Sequence, residues 1–382
     1  MNRKVKVMTV FGTRPEAIKM APLVKELESR DEVESIVAVT AQHRQMLDQV
    51  LNIFKIKPDY DLDIMKDRQT LTDITSNVLL GLYKVISEAK PDIVLVHGDT
   101  TTTFAGGLAA FYNQVAVGHI EAGLRTYDIY SPFPEEMNRK LTGQLSTLHF
   151  SPTIQNKNNL LREGISEDAI FITGNTVIDA LKTTVNDKYV FSNELIRNLD
   201  FSRKIIVVTA HRRENLGEPL ENICNAIKRL ATEFKDDTSF VYPVHLNPAV
   251  RGTAFAILSD LKNVHLIDPV DVEELHNLMG KSYMVMTDSG GLQEEAPSLG
   301  KPVLVLRSET ERPEAVAAGT ARMAGIIEEE IYEKAKTLLT DENEYNRMAK
   351  AVNPYGDGLA SKRSVDAILY HFGVIKERPQ DL

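Results

Sequence analysis

The chain has 382 residues, a formal net charge of −10 and a single cysteine, Cys224. This length predicts two domains, and a content of 43% hydrophobic and 26% charged residues is typical of a globular protein in solution. The acidic balance disfavours a general nucleic-acid or anionic-membrane surface, and no apolar segment approaches the roughly 20 residues of a membrane span. One cysteine excludes an intramolecular disulfide and a cysteine-rich metal site, and it fits a reducing cytoplasm.

Short β-branched segments alternate with helical patterns along nearly the whole chain. The first helical pattern is amphipathic, because apolar residues from Ala17 to Leu27 recur at intervals of three or four. Continuous apolar strands separated by helices predict parallel sheets covered on both faces. The predicted strands are residues 4–11, 35–41, 92–98, 115–120, 148–152 and 170–174, followed by 204–211, 239–245, 264–268, 283–289 and 302–306.

The polar, aperiodic segment 186–203 separates these two sets of strands and is the predicted linker. We therefore expect two doubly wound, Rossmann-like α/β domains, at residues 1–185 and 200–358. A helix at about residues 359–375 is expected to pack back onto the first domain. Ligands of such sheets bind beyond the carboxyl ends of the strands, so the sequence predicts a site in a central cleft that both domains face.

Acidic side chains follow several predicted strands of the first half. Asp99 in "HGDTTTT" and Glu121 in "GHIEAGLRT" have the same His-x-acid spacing, with His97 and His119. A metal site is conceivable here, but helix capping and turn formation are the commoner roles of single carboxylates. Glu135 opens a helix in "SPFPEEMNRKLTG", where the helix dipole alone favours an acid.

Two segments of the second half indicate a nucleotide site. In "VVTAHRRENLGEP", His211 follows a strand and is flanked by arginines, which favours a functional site over the core. In "MTDSGGLQEEAPSLG", the glycines after Ser289 let backbone amides approach an anion, and Glu295 can accept hydrogen bonds from ribose hydroxyls. Arg312 in "TERPEAV" adds a cation. Neither the Walker loop nor the GxGxxG fingerprint is present, so a nicotinamide oxidoreductase is disfavoured.

The motifs "GTRPEAIKMAPL", "VHGDTTTT", "HIEAGLRT", "SPFPEEMNRKLT", "TAHRRENLG", "TDSGGLQEEAPSLGKPVLVLR" and "TERPEAV" together resemble, in order and spacing, the non-hydrolysing UDP-N-acetylglucosamine 2-epimerase family of bacteria. The resemblance extends from about residue 5 to residue 370. It implies a glycosyltransferase-B-like fold and a cytoplasmic homodimer. It also implies reversible conversion of UDP-N-acetylglucosamine to UDP-N-acetylmannosamine for surface polysaccharides, with no cofactor and no metal.

The same resemblance implies three groups of site residues. The catalytic group is Asp99, Glu121, Glu135 and His211. The residues that bind UDP are Arg14, Lys19, Ser289, Gly290, Gly291, Glu295 and Arg312. A second substrate molecule, bound as an activator, is implied to contact Gln42, Gln45, Arg68, Gln69, Arg213 and His245.

The implied reaction is an elimination. A base removes the C2 proton while UDP leaves C1, which gives a 2-acetamidoglucal, and UDP then adds again as a proton arrives on the other face. This route requires carboxylates near the sugar and cations near the diphosphate. The sequence does not assign a face to each acid. Leu275 departs from the aromatic residue that relatives often carry against uracil, which predicts weaker base stacking.

Three alternatives remain at this stage. A hydrolysing 2-epimerase would use the same elimination and end with water addition. A nucleotide-sugar glycosyltransferase would share the architecture, but no basic or amphipathic segment for a lipid acceptor is evident. A UDP-sugar-binding sensor without turnover would be expected to lack one of the acids or His211, and all four residues are present.

Overall fold

The computed structural model describes residues 3–42, 44–66 and 68–382. The chain divides into two compact units, Met1–Thr183 with Tyr355–Leu382 (unit 1) and Thr184–Pro354 (unit 2). The chain therefore passes between the units twice. The segment 186–203, expected as a linker, belongs to unit 2.

Unit 1 contains a parallel sheet with the order β3-β2-β1-β4-β5-β6-β7. Its order reverses between β1 and β4, which is the switch point where ligands of doubly wound sheets bind. The elements in chain order are β1 (Val5–Phe11), α1 (Arg14–Glu28), β2 (Val33–Val39), α2 (Arg44–Ile53), β3 (Tyr60–Asp61), α3 (Leu71–Ala89), β4 (Ile93–His97), α4 (Thr101–Tyr112), β5 (Ala116–Ile120), α5 (Glu135–Leu145), β6 (Leu148–Ser151), α6 (Ile154–Arg162), β7 (Ile170–Ile172) and α7 (Thr176–Thr184).

Unit 2 contains a parallel sheet with the order β10-β9-β8-β11-β12-β13, so its switch point lies between β8 and β11. Its elements are α8 (Glu194–Arg197), β8 (Lys204–Thr209), α9 (Glu218–Glu233), β9 (Thr238–Pro243), α10 (Pro248–Leu258), β10 (Val264–Ile267), α11 (Val272–Gly280), β11 (Met284–Thr287), α12 (Leu292–Ser298), β12 (Val303–Val305), α13 (Pro313–Ala317), β13 (Ala321–Met323), α14 (Glu328–Thr340) and α15 (Glu342–Ala349).

The last helix, α16 (Ala360–His371), returns to unit 1 and packs against α1. Val365 and Ile368 of α16 are fully buried in the same apolar cluster as Leu23 and Leu27 of α1. A second apolar cluster, which includes Val78 of α3, lies against the same strands. Both faces of the sheet are therefore covered, which explains why its strands are apolar throughout.

The two doubly wound α/β sheets confirm the predicted fold class, and each of the predicted strands is present. The two short strands β3 and β13 were missed, because neither has the β-branched or alternating pattern that identifies a strand. Of the helices in the described ranges, none is long and apolar enough to cross a membrane.

Candidate active site

The switch point of unit 1 is fixed by a buried carboxylate. Thr13 caps α1 and forms a capping box with Glu16, whose side chain accepts hydrogen bonds from the amides of Gly12 (3.1 Å) and Thr13 (2.8 Å). The other oxygen of Glu16 accepts from the hydroxyls of Thr100 (2.6 Å) and Thr103 (3.2 Å) in the turn after β4. Glu16 thus joins the two turns that flank the switch point.

A glycine is required at position 12 because two threonine side chains pack directly against its Cα atom. A Cβ atom there would lie 1.9 Å from Thr40 Oγ1 and 2.9 Å from Thr102 Oγ1. The candidate UDP ligand Arg14 is the first residue of α1, directly after this turn. The start of "GTRPEAIKMAPL", which matches no standard nucleotide-binding motif, is therefore a tightly packed turn. This turn presents Arg14 at the carboxyl end of β1.

Glu121 follows β5 with a φ of +62°, in the left-handed region that non-glycine residues rarely adopt. Its buried carboxylate pairs through Oε2 with the ammonium of Lys19. The same oxygen accepts a hydrogen bond from Asn175 Nδ2 at 2.8 Å and lies 3.6 Å from His97 Nε2. The structure therefore brings together one predicted catalytic acid and one predicted UDP ligand.

Asp99 follows β4 and is held by a guanidinium. Asp99 Oδ2 accepts from Arg139 Nε (3.0 Å) and Nη2 (2.7 Å), and the Asp99 carbonyl accepts from Asn138 Nδ2 (2.9 Å). Arg139 also donates to Glu136 at 3.0 Å. Burial alone lowers the pKa of Arg139, but the Asp99 and Glu136 carboxylates outweigh burial and raise it. Arg139 therefore remains a cation beside Asp99.

The adjacent acids at the start of α5 differ in their surroundings. Glu136 is fully buried and accepts from the amides of Thr126 (3.1 Å) and Tyr127 (3.0 Å), so it stabilises the preceding loop. Glu135, the predicted catalytic residue, has a buried Oε2 atom with no hydrogen-bond partner among the described residues. Of the two, Glu135 is the carboxylate with an oxygen left for a ligand.

Two histidines behind these acids are buried and uncharged. His119 Nε2 donates to the Gly98 carbonyl at 2.7 Å and so fixes the turn that leads to Asp99. Burial lowers the pKa of His119 to about 3 and that of His149 to about 4. Both imidazoles are therefore neutral near pH 7, which suits a structural role.

The switch point of unit 2 also has a buried carboxylate. Asp288 follows β11 and is fully buried. Its Oδ2 atom accepts from the amides of His211 (2.7 Å) and Arg212 (2.8 Å), which follow β8, and from Asn215 Nδ2 (3.0 Å). Asp288 thus fixes the position of the histidine segment relative to the serine-glycine-glycine turn.

The His211 imidazole is about 40% exposed, and its ring stacks on that of His245 with the ring centroids 5.3 Å apart. Its Nδ1 atom lies 3.8 Å from Asp288 Oδ1. Partial burial is the main cause that lowers the pKa of His211, and the neighbouring His245 and Arg212 lower it further. The negative charge of Asp288 acts in the opposite direction.

Gly290 lies between two guanidinium groups. A Cβ atom built on it would be 3.9 Å from Nη2 of both Arg212 and Arg312. Arg312 is itself oriented by an ion pair with the buried Glu294. Together with Ser289 and Gly291, this turn forms a small cationic surface with no side chain at its centre, a suitable place for a phosphate group.

Glu295 lies one turn into the following helix and is held by a histidine. His276 is buried, and its Nε2 donates to Glu295 Oε2 at 3.1 Å while its Nδ1 lies 2.7 Å from the hydroxyl of Thr184. The hydroxyl of Thr184 donates to Nδ1 in this tautomer. The other carboxylate oxygen of Glu295 approaches Gly291, so Glu295 is fixed beside the candidate phosphate site.

The six residues predicted for a second substrate molecule lie in both units. Gln42 precedes α2 and accepts from the Thr102 hydroxyl at 3.3 Å, whereas Gln45 is an exposed residue of α2. Gln42 and Gln45 are therefore not neighbours on one helix. Arg68 has a φ of +56°, and Gln69 Oε1 is buried without a hydrogen-bond partner in the described ranges. Arg213 and His245 are exposed residues of unit 2.

Sequence reasoning missed several residues that position the site: Glu16, Arg139, Asp288 and His276. A capping box was the available signal for Glu16, since Thr13 and Glu16 have the spacing of that motif. The other three are recognisable only from contacts between segments distant in the chain. Over residues 3–42, 44–66 and 68–382, no group of three or more histidine, cysteine, aspartate or glutamate side chains could hold a metal ion.

Comparison with known proteins shows the family of the chain. A family model described as UDP-N-acetylglucosamine 2-epimerase matches residues 25–369. UDP-N-acetylglucosamine 2-epimerase of Bacillus subtilis (strain 168) is 62% identical over 377 residues, which cover 99% of this chain and 98% of that protein.

The crystal structure of UDP-GlcNAc 2-epimerase from Neisseria meningitidis bound to UDP-GlcNAc has a TM-score of 0.87 and 54% identity, and it covers 96% of this chain and all of that one. A glycotransferase of kitacinnamycin, 13% identical with a TM-score of 0.66, shares the fold over 96% of this chain and 98% of that one. Because the family model matches most of the chain and the relatives are similar over nearly their full lengths, the chain belongs to the UDP-N-acetylglucosamine 2-epimerase family.

Proposed function

We propose that this protein interconverts UDP-N-acetylglucosamine and UDP-N-acetylmannosamine without releasing the free sugar. The observation that carries the proposal is the contrast between the two switch points: carboxylates collect at that of unit 1, and cations around a bare glycine turn collect at that of unit 2. Inversion at C2 requires proton transfer at carbon and stabilisation of a departing diphosphate, so both kinds of group have a use.

In this proposal the uridine diphosphate is bound by Arg14 and Lys19 of unit 1 and by unit 2. The two guanidiniums near Gly290 suit a diphosphate, because arginine forms directional hydrogen bonds to phosphate oxygens. Glu295 accepts hydrogen bonds from the ribose hydroxyls, and its contact with His276 fixes the oxygen that does so. Leu275 offers the uracil no aromatic ring, so base stacking contributes little to affinity.

The chemistry is elimination followed by addition. The C2–H bond breaks with its proton passing to a carboxylate, the C1–O bond breaks with its electron pair passing to UDP, and a C1=C2 double bond forms. UDP oxygen then attacks C1 again while C2 receives a proton on the opposite face. Atoms and charge balance with no net oxidation or reduction, so the route needs only acid, base and electrostatic groups.

We assign the proton transfers at C2 to Asp99, Glu121 and Glu135, and the leaving oxygen to His211. Support for the acids comes from the left-handed backbone of Glu121, from the unpartnered oxygen of Glu135 and from the ion pair that orients Asp99. Support for His211 comes from its exposed ring beside Arg212. An imidazolium at that position supplies a proton or a positive charge to UDP as it leaves.

Incubation of the purified protein with UDP-N-acetylglucosamine, followed by chromatographic separation of the products, tests this proposal against its rivals. We expect a mixture of the two UDP-sugars that reaches the same ratio from either side, and no free sugar. Free N-acetylmannosamine with UDP would identify the hydrolysing reaction. Turnover only after addition of an acceptor would identify a transferase, and tight binding without turnover would identify a sensor.

A regulatory site for a second substrate molecule is the next part of the proposal. Gln42, Gln45, Arg68 and Gln69 supply amide and guanidinium groups from unit 1, and Arg213 and His245 supply cationic or hydrogen-bonding groups from unit 2. The stacking of His245 on His211 supports this assignment, because it gives a ligand at His245 a direct contact with a catalytic group. Such a ligand activates only if it favours the active conformation.

We also propose that the protein is a cytoplasmic homodimer that supplies precursors for surface polysaccharides. The buried, unpaired Cys224 suits a reducing compartment. Support for dimerisation comes from α4, which packs on α3 and on α5, because all three helices expose large apolar side chains. These are Leu80, Tyr83, Phe111, Tyr112 and Leu141. Exposed apolar patches of this kind mark protein interfaces, and light scattering of the purified protein measures the expected dimer mass.

A further inference from the structure

Among the described residues, one carboxylate oxygen at the switch point of unit 2 has no hydrogen-bond partner. Asp288 Oδ2 accepts three hydrogen bonds, whereas Oδ1 is buried and accepts none from the described residues. The Nδ1 atom of His211 lies 3.8 Å from this oxygen. Asp288 itself is fully buried, so water does not reach its carboxylate freely. An unsatisfied buried carboxylate oxygen is costly, so its presence requires an explanation, and a catalytic role is one of those known.

The two side chains differ in how far they can move. Asp288 is fixed by two backbone amides and by Asn215, which itself also donates to the Leu306 carbonyl at 2.9 Å. The His211 ring is about 40% exposed, and its packed partner is the exposed ring of His245. A small rotation of the imidazole is therefore the movement that brings Nδ1 within hydrogen-bonding distance of Oδ1.

We propose that Asp288 is a positioning residue that accepts a hydrogen bond from His211 Nδ1–H and thereby presents Nε2 of His211 to the reacting substrate. A carboxylate accepts hydrogen bonds only, so it selects the neutral tautomer with the proton on Nδ1. The inference about the tautomer does not depend on the reaction. The consequence for catalysis rests on the proposed function, in which Nε2 faces the leaving UDP oxygen.

The charged and titratable groups around His211 come from three segments. Asp288 comes from the turn after β11, His245 from the segment after β9, and Arg212 from the same turn as His211. The phenol of Tyr242 in β9 donates to the Ala210 carbonyl behind the ring. Among these groups Asp288 is the anion, so it favours the charged imidazolium. Burial and the neighbouring His245 and Arg212 disfavour that charged form. When His211 gives its Nε2 proton to a UDP oxygen, the neutral Nδ1–H form remains and stays bonded to Asp288.

Nitrogen-15 NMR of the full-length protein, labelled only at histidine, reads this tautomer directly. His211→Gln identifies the His211 signals by their absence. In the wild type, above the pKa of His211, we expect the proton on Nδ1. In Asp288→Asn the amide nitrogen can donate to Nδ1 while its oxygen keeps the backbone contacts, so we expect the proton on Nε2. Asp236→Asn is the control, because it makes the same substitution at an exposed aspartate of unit 2.

The inference holds if the tautomer is Nδ1–H in the wild type and in Asp236→Asn but Nε2–H in Asp288→Asn. A wild-type Nε2–H tautomer overturns it, even if Asp288→Asn fails to fold, and so does an unchanged tautomer in a folded Asp288→Asn. For turnover, we expect Asp288→Asn to lower kcat about 10²-fold or more, as for a general acid in the wrong form, with the Kd for UDP nearly unchanged. A wild-type protein with the expected tautomer but no epimerisation contradicts the proposed function alone.

Discussion

The switch points of the two units have the same strand topology but present different side chains. In unit 1 the loops after β4 and β5 carry Asp99 and Glu121, and α5 begins with Glu135. In unit 2 the corresponding turns carry Arg212 beside Gly290. Each unit nevertheless uses a buried carboxylate to hold its two turns together, Glu16 in one and Asp288 in the other. The same local architecture therefore holds two different sets of side chains.

Within each switch point, the side chains that fix the loops differ from the side chains that are available for chemistry. The carboxylates of Glu16 and Asp288 accept hydrogen bonds from backbone amides, and so fix loops whose other side chains are available to a ligand. In the proposed reaction, unit 1 moves protons at carbon and unit 2 receives the leaving diphosphate. Variants of unit 1 are therefore expected to affect turnover, and variants of the glycine turn of unit 2 to affect nucleotide binding.

The largest effect is expected for Asp99→Asn. The asparagine can keep one hydrogen bond to Arg139, and Arg139 retains Glu136, so the protein should fold normally. Loss of a proton-transfer group should lower kcat by about 10²- to 10⁴-fold with little change in the Kd for UDP. The rate is measured by chromatography of the UDP-sugars, and Kd by calorimetry. Asp31→Asn, at an exposed position, is the control. A near-normal rate for Asp99→Asn would remove Asp99 from the mechanism.

A smaller effect is expected when the pH is lowered. The resulting loss of stability should be greater in unit 1 than in unit 2. His119 has a pKa of about 3 in the folded protein and an ordinary value of 6.5, so the unfolded state takes up the proton first. Stability is therefore lost as pH falls below about 6.5, by about 1.4 kcal/mol per pH unit for this group. Hydrogen exchange at about pH 7.5 and about pH 5 should show a larger loss of protection in β5 than in β11.

His119→Gln sharpens this test. The glutamine amide can still donate to the Gly98 carbonyl but does not titrate. Between about pH 7.5 and about pH 5, the wild type should lose about 2 kcal/mol of unfolding free energy that the variant retains. An equal pH dependence in the two proteins would show that His119 is not the group responsible.

Gly290→Ala should weaken nucleotide binding about tenfold, because the methyl group would occupy the surface between Arg212 and Arg312 where a phosphate oxygen approaches. Its Cβ meets both guanidiniums at an ordinary contact distance, so folding should be unaffected. The Kd for UDP, measured by calorimetry, checks this expectation. Gly252→Ala on α10 should bind UDP normally, because no described residue outside its own helical turn approaches within 4 Å of the new methyl group. Unchanged affinity in Gly290→Ala would place the diphosphate elsewhere.

The smallest effect on maximal rate is expected for Gln45→Ala. This side chain is exposed and distant in sequence from the proposed acids, so kcat at saturating substrate should change less than about threefold. Initial rates over a range of substrate concentrations should lose any sigmoidal dependence, since one contact to the activating molecule is missing. Retained cooperativity in Gln45→Ala would contradict the assignment of Gln45 to a regulatory site.

Much of the fold was predictable because buried parallel strands have a strong local signal. The strands near Val94 and Val207 are continuous apolar segments, and glycine or polar residues mark their ends. The two-residue strand Tyr60–Asp61 has no such signal, since its pairing with β2 is decided by the surrounding structure. The sequence-based linker overlaps α8 of unit 2, because polar surface helices and linkers have similar composition.

The placement of candidate residues was predictable where one segment carries the whole signal, as in the turn of Ser289 and Gly290 between β11 and α12. Contacts across the chain were not predictable. Asp288 reads as the residue before a glycine turn, and its bond to the His211 amide, 77 residues away, follows only from the pairing of β11 with β8. Arg139 likewise reads as a surface residue of an amphipathic helix until Asp99 is found beside it.

Proton NMR of the reaction in deuterated water tests the central claim most directly. With UDP-N-acetylglucosamine and no added cofactor, we expect UDP-N-acetylmannosamine with deuterium at C2 and the UDP still attached. Deuterium at C2 reports the proton exchange assigned to unit 1, and retained UDP reports the re-addition assigned to unit 2. Epimerised UDP-sugar that keeps its original hydrogen at C2 would contradict proton exchange with solvent, and free N-acetylmannosamine would contradict the non-hydrolysing reaction.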